Sequence, residues 1–399
     1  MNVFTAKAQS GQNAVVLEDM LLTKDLPTAA GSKMLDGYKS LFDAQVVTAL
    51  QNGGYTVAGK ANVGEMGLDL LGETSFYGAC TDQKGNLSTA AAQIVKIGEA
   101  KAALCFDVNG APRRGAAVAG LTYVKPTYGT VSRFGTIPAA CSGETVGVLA
   151  ADAATCRALL STIAGHDDKD GTSLPQNRCD ALKADAPRAK VQKIGLCTAF
   201  LADVDEAVKA KVDAFVAAAE EKGIEVVEVA DDRLLLAQPA WNILMSAEVC
   251  NNVSRYEGVK YGYRTKNYKT IDELYTGSRT EAFGYLLKST ILFGSDTLST
   301  ENYSKVYDKA LRMRRVLCEA TAKLLAECDA LLLPVCSKAA YAPAAATDPY
   351  TTYGETRFTA PACITGLPTV VSRGVQLVGK AFSENALLDL AELLEKEGK

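Results

Sequence analysis

A single histidine, His166, stands in a chain that carries 11 cysteines and no C-x-x-C pair. A serine or cysteine nucleophile activated by imidazole would have to use His166 as its base. A zinc site with two histidines is excluded, and the cysteine spacings suit no structural zinc site. His166 lies in IAGHDDKDGTS, just after Gly165, which reads as a helix end, so a histidine bonding local carbonyls is the expectation there. The run HDDKDG has the outline of a calcium loop. Its twelfth position, counted from His166, is Asn177 rather than a bidentate glutamate, so it is read as a solvated acidic turn. Cys105 has no base beside it in the sequence and reads as a small buried hydrophobe. No G-x-x-x-x-G-K-[ST] loop occurs, and no G-x-G-x-x-G follows a strand, so ATP binding has no support. Neither a metal nor a cofactor is expected.

The composition sets the frame around these residues. A chain of 399 residues with 48% hydrophobic and 22% charged content can bury a large core. Net charge is −4 with both signs interspersed, so no basic stripe marks a nucleic-acid face, and autonomous nucleic-acid binding is not expected. The start lacks the apolar segment of a signal peptide, and no run approaches the roughly 18 apolar residues of a membrane span. Scattered cysteines in odd number fit reduced thiols in a cytoplasmic protein.

Strands are expected at 14–24, in YTVAGKAN, ALCFDV, KIGLCTAF, IEVVEVA, ALLLPV and VQLVGKAF. Helices are expected at 43–52, through TAAAQIVKI with Ser88 as cap and Gly98 as stop, at DEAVKAKVDAFVAAAEEKG, over about 301–328, and at ENALLDLAELLEKE. The unit from 193 to IEVVEVA is a βαβ pattern, which demands parallel pairing. The Ala/Pro/Thr-rich segment 337–357 reads as loop. Alternation of strands and helices gives an α/β class: one domain over 14–399 behind a short extension at 1–13, with a mixed, mostly parallel central sheet covered by helices on both faces.

The stretch 85–129, GNLSTAAAQIVKIGEAKAALCFDVNGAPRRGAAVAGLTYVKPTYG, resembles the core of the amidase-signature family, in its branch of A subunits of glutamyl-tRNA(Gln)/aspartyl-tRNA(Asn) amidotransferases. So do AGSKMLDGY, LLSTIAGHDDKDGTS, SAEVCNNVSRYEGVKYGYR and TAPACITGLP, in the family's order. In that family a lysine activates a nucleophilic serine through a bridging serine, and backbone N–H groups of a glycine-rich turn hold the oxyanion. The resemblance places Glu18 at the lysine, Leu87 at the bridging serine and Ala111 at the nucleophile, so no catalytic residue is intact. Ser88 is a weak candidate for a displaced nucleophile.

The turn equivalents are Val108, Asn109, Gly110 and Ala111, with Pro112 expected to tilt Ala111 away from helical geometry. Asp107, Gly110 and Arg113 would keep the turn on the core. Glu18 would be protonated or paired with a base such as Arg113. The arginine that grips a substrate carboxylate is replaced around Ser289 and Thr290, and the aspartate that holds its amino group falls near Thr356. Relative to the family the chain reads as shortened, lacking most of an N-terminal helical segment and a loop around Ser372-Arg373-Gly374. The implied function is a catalytically silent amidase-fold subunit, structural or regulatory, docking partners that resemble the B and C subunits. The alternatives are a working glutaminase subunit that supplies ammonia for Gln-tRNA(Gln) formation, and a small-molecule binding module that reuses the emptied pocket, made more apolar by Leu87.

Overall fold

The structure, a computed structural model, describes residues 3–8, 11, 13–344 and 348–396. Eleven strands form one sheet in the order β1-β3-β2-β4-β6-β5-β10-β11-β9-β7-β8. They are β1 Phe4–Lys7, β2 Ala14–Glu18, β3 Thr56–Ala61, β4 Ala102–Asp107, β5 Thr122–Lys125, β6 Thr145–Ala150, β7 Lys193–Cys197, β8 Glu225–Val229, β9 Ala330–Pro334, β10 Thr369–Ser372 and β11 Val375–Gly379. Residues 4–7, read as part of an extension, form an edge strand antiparallel to β3.

The sheet is mixed, but it is not mostly parallel. β2 pairs in parallel with β3 and β4, and β7 with β8 and β9. Every pairing from β4 through β6, β5, β10 and β11 to β9 is antiparallel. β6 enters between β4 and β5 and runs opposite to both. β10 and β11 form a hairpin whose two turn residues, Arg373 and Gly374, both take positive φ (52° and 85°), as a two-residue turn of this hand requires.

The helices are α1 Gln45–Asn52, α2 Ala90–Lys96, α3 Ala111–Ala119, α4 Ala153–Ile163, α5 Gln176–Cys179, α6 Glu206–Glu221, α7 Ala237–Val253, α8 Ile271–Ala282, α9 Tyr285–Thr297, α10 Asp308–Glu327, α11 Pro349–Thr365 and α12 Glu384–Glu395. α1, α4, α6 and α12 bury their apolar faces against Leu17, Leu104, Val148, Leu332 and Leu377 on one side of the sheet. On the other side Val16, Ala103 and Val371 pack with α2 and α3, while Leu331 and Leu333 lie in the cluster built by α7, α9 and α10. Burial on both faces explains why the strands read as continuous apolar runs.

Three local expectations change. The helix of 301–328 opens with a π-helical turn, Tyr303–Tyr307, before α10 begins. Most of 349–357 is not loop but the first half of α11, started by Asp348, whose side chain accepts from the Tyr350 N–H. The residue before α2 is Thr89, not Ser88. No helix among the described residues is long and apolar enough to cross a membrane.

Candidate functional site

β4 ends at Asp107 and the chain turns through Val108, Asn109 and Gly110 into α3. Gly110 takes φ 99°, and a Cβ there would come within 2.4 Å of the Thr359 side chain on α11, so only glycine fits this turn. α3 starts at Ala111 itself, and Pro112 sits in its first turn, where no N–H is needed. The expected tilt of Ala111 out of helical geometry is therefore absent, because the helix start suits proline. The turn is anchored from behind. Arg113 donates through Nε to Asp107 at 2.9 Å, through Nη1 to the Thr359 carbonyl at 2.8 Å and through Nη2 to Cys363 Sγ at 2.8 Å. Burial opposes the Arg113 charge, but Asp107 outweighs it and the guanidinium stays charged.

Glu18 ends β2 and is 5% exposed. Its Oε2 accepts from the Phe106 N–H at 2.7 Å. Burial, reinforced by the nearby charge of Asp107, pushes its carboxyl up to about 8, against the lowering pull of the Phe106 N–H and of Cys105. Of the two states expected for Glu18, protonation fits and pairing with Arg113 does not, since Arg113 is engaged by Asp107. A buried amine on β3, Lys60, bonds the Leu21 carbonyl and Thr28 Oγ1. It pairs in register with Leu17, so it lies on the sheet face opposite Glu18.

Leu87 is fully buried against Leu71, Ala79 and Tyr341. Its N–H donates to the Tyr341 carbonyl at 2.8 Å, and the Tyr341 ring lies 5.2 Å from the Arg114 guanidinium of α3. Arg114 also faces Glu355, which accepts from the Tyr341 hydroxyl at 2.9 Å. The segment around Tyr341 thus covers the Leu87 position. Ser88 does not cap α2; its Oγ accepts from Gln93 Nε2 at 2.8 Å. Cys105 is fully buried and its thiol is pushed well up, first by burial and then by Glu18, which makes it inert.

A cleft of about 500 Å³ opens on the other side of the turn, and Asn109, Ser289, Thr290 and Thr356 all line it. Asn109 of the turn and the three residues expected at the clamp are therefore brought together, although they come from β4–α3, α9 and α11. Glu18, Leu87 and Ala111 are not in its lining. Sequence reading missed Thr352 and Tyr353, which line the same cleft from α11. The available signal was Asp348-Pro349, a capping residue followed by a first-turn proline.

His166 is remote from the cleft, with Nδ1 at 3.0 Å from the Leu174 carbonyl and Nε2 at 3.0 Å from Asp168. α4 ends before Gly165, at Ile163. The turn after it is not simply solvated: Asp167 accepts from Ser132 Oγ and Asp170 from the Arg133 N–H, and both are buried. Among the described residues no group of three or more His, Cys, Asp or Glu could hold a metal ion.

The family model described as Amidase matches residues 14–388. This chain belongs to the amidase family. It is 34% identical, over 96% of its length and 83% of the relative's, to the A subunit of glutamyl-tRNA(Gln) amidotransferase from Neisseria meningitidis serogroup A. Against the protein of the same name from Caldanaerobacter subterraneus subsp. tengcongensis it is 32% identical over 96% of its length and 82% of the relative's. In fold, it resembles the A subunit of glutamyl-tRNA(Gln) amidotransferase from Thermotoga maritima with a TM-score of 0.80 at 24% identity, covering 99% of this chain and 87% of that one. A 6-aminohexanoate cyclic dimer hydrolase shares the fold at a TM-score of 0.76 and 18% identity, over 96% of this chain and 84% of that one.

Proposed function

We propose that this amidase-family chain is a catalytically silent homologue of the amidotransferase A subunit, shortened relative to it, with a structural or regulatory role in the cytoplasm. What supports the reading is that the cleft is lined by Asn109 and not by Glu18, Leu87 or Ala111, the residues that the resemblance sets at the reactive positions, and that these offer a buried carboxyl and two side chains of carbon alone. In this reading Glu18, pushed up to about 8 by burial, carries a proton in most molecules at neutral pH where the family has an amine. Leu87 offers no atom to relay a proton, and Ala111 none to attack. Losing one member of such a unit typically costs about 10⁴–10⁶ in turnover. The partners in this reading are proteins resembling the B and C subunits, since the relatives are named as subunits of an amidotransferase.

The decisive measurement is ammonia release from glutamine by the purified chain, alone and with B and C subunits added. We expect background rates in both cases. The second reading is a working A subunit, favoured by 34% identity across 96% of the chain with a relative of that name. Turnover that depends on Ser88, lost in Ser88→Ala, would establish it in place of the first.

A further inference from the structure

We infer that two adjoining clefts bind a small molecule with a flat aromatic body and a phosphate or carboxylate group, the body in the larger cleft and the anion at the join and in the smaller one. They share no lining residue with the cleft at Asn109, and the inference stands whether or not the amidase site is silent.

The first observation is an aromatic wall. The larger cleft, of about 550 Å³, forms where the segment after α7 meets the 3₁₀ turn Lys33–Leu35; the Tyr263 N–H donates to the Met34 carbonyl at 2.8 Å. Tyr38, Phe76, Tyr256, Tyr261 and Tyr263 line it. Three of these rings are left open: Tyr38 is 40% exposed, Phe76 48% and Tyr261 46%. A single exposed ring needs no explanation, but three around one hollow mark a surface made to be covered. A flat aromatic body fills such a hollow, stacked on the rings or edge-on to them.

The second observation is a set of cations without counterions. Arg255 and Tyr261 line both this cleft and a neighbour of about 350 Å³, which Lys260 and Arg279 also line. Arg279 is half-buried beside the Phe283 ring, 5.2 Å from its centre, and its guanidinium meets no hydrogen-bond acceptor among the described residues. The Lys260 ammonium meets none either. Arg255 donates through Nε to the Asn252 carbonyl at 2.8 Å and through Nη2 to Asn252 Oδ1 at 3.5 Å, which leaves Nη1 for a ligand. In the larger cleft Lys33 lies 4.2 Å from the centre of the Tyr263 ring, with only the Glu281 carbonyl, at 3.4 Å, as acceptor.

The opposing charge is smaller and already engaged. Asp36 accepts from the Tyr77 hydroxyl at 2.7 Å, and Glu257 accepts from the Lys260 N–H at 3.0 Å. Four cations against these two carboxylates leave the walls positive, in a chain whose net charge is −4. Of the hydroxyls, that of Tyr263 is committed to Glu281 at 2.6 Å, while those of Tyr38 and Tyr261 can donate to the same anion. An ammonium ligand would meet like charge, and a neutral one would leave Arg279 without an acceptor. A phosphate or carboxylate meets neither difficulty and matches the planar fork of a guanidinium.

Thermal unfolding of the full chain at fixed ionic strength tests this with 1-naphthyl phosphate, 1-naphthoate, 1-naphthylmethylamine and inorganic phosphate. A naphthyl anion near a hundred times its Kd should raise Tm by about 3 °C. At the same concentration the amine should leave Tm unchanged and inorganic phosphate should give less than half that shift. The larger response of the two naphthyl anions assigns the head group. Arg279→Gln and Tyr261→Ala should each weaken binding of that anion about tenfold, while Lys209→Gln on α6 should leave it unchanged. Should Arg279→Gln fail to fold, Lys260→Gln on the exposed rim replaces it, with a loss of about threefold. A shift with the amine, no shift with either naphthyl anion, an equal shift with inorganic phosphate, or full affinity in the folded cleft variants overturns the inference.

Discussion

Replacing Glu18 by glutamine should stabilise the protein, and by an amount that grows with pH. The folded carboxyl titrates near 8, against 4.5 for the ordinary value, with burial the leading cause. This is the reverse of the usual carboxylate case. Below pH 4.5 Glu18 is protonated in both states and costs nothing. As pH rises towards 8 the unfolded chain gives up the proton and the folded chain keeps it, so stability drains away across that window and levels off above it. Each pH unit of displacement is worth about 1.4 kcal/mol, giving under about 1 kcal/mol at pH 5 and about 3 kcal/mol at pH 7. Glutamine keeps an oxygen for the Phe106 N–H and removes the titration. Burial also raises Asp19 and Glu65 to about 7, and both steepen the fall in the wild type, but they cancel in the comparison with the variant. Urea unfolding of the two proteins at pH 5, 6, 7 and 8 reads the difference directly. Parallel curves, or a variant less stable at pH 8, would mean that Glu18 is ionised in the folded chain and that the protonated-acid assignment is mistaken.

The combined variant Glu18→Lys, Leu87→Ser and Ala111→Ser should release no ammonia above background from glutamine or propionamide, because Leu87 is sealed under Tyr341 and Ser289, Thr290 and Thr356 are neutral; measurable turnover would show that the cleft gives access to positions 87 and 111. Arg113→Met should cost about 3–5 kcal/mol by leaving Asp107 buried without its cation, and adding Asp107→Asn should recover part of that loss, both read from denaturation midpoints. Gly110→Ala should cost about 2 kcal/mol or more, since φ 99° and the Thr359 side chain at 2.4 Å both oppose a Cβ; an unchanged midpoint would contradict the turn geometry.

Elements whose pattern is local were legible in the residues. The βαβ unit at β7–α6–β8 follows from apolar spacing and the N-cap Asp205, which accepts from the Val208 N–H at 2.8 Å. The meeting of Ser289, Thr290 and Thr356 with Asn109 in one cleft was legible only as correspondence to a family, because no periodicity joins α9, α11 and the β4–α3 turn. Strand order was not legible. Nothing in the sequence of β6 says that it inserts between β4 and β5, and that insertion accounts for the β4–β6 and β6–β5 antiparallel pairings, while the β10–β11 hairpin brings the rest. The helical state of 349–357 was hidden by composition: proline, glycine, threonine and tyrosine gave no amphipathic stripe, and α11 needs none because its first half is packed against Ser337, Tyr341 and the cleft rather than against one apolar face.

On the silent-subunit reading proposed above, Glu18 in a lysine's place would also account for a fold that tolerates the loss of its chemistry. Asp107 and Arg113 neutralise each other at the base of the turn, so a third buried group beside them must be uncharged to avoid a large desolvation cost. A neutral amine and a protonated carboxyl satisfy that condition equally well. They differ in what they can do next, because the amine has a free lone pair and the carboxyl has already taken its proton. Raising the pH past 8 would ionise Glu18, yet its oxygen is already bound by the Phe106 N–H and the positions of relay and nucleophile hold only carbon. On that reading, charge balance in the core is kept by the same exchange that would remove the base, and the demand that preserves the fold places no demand on catalysis.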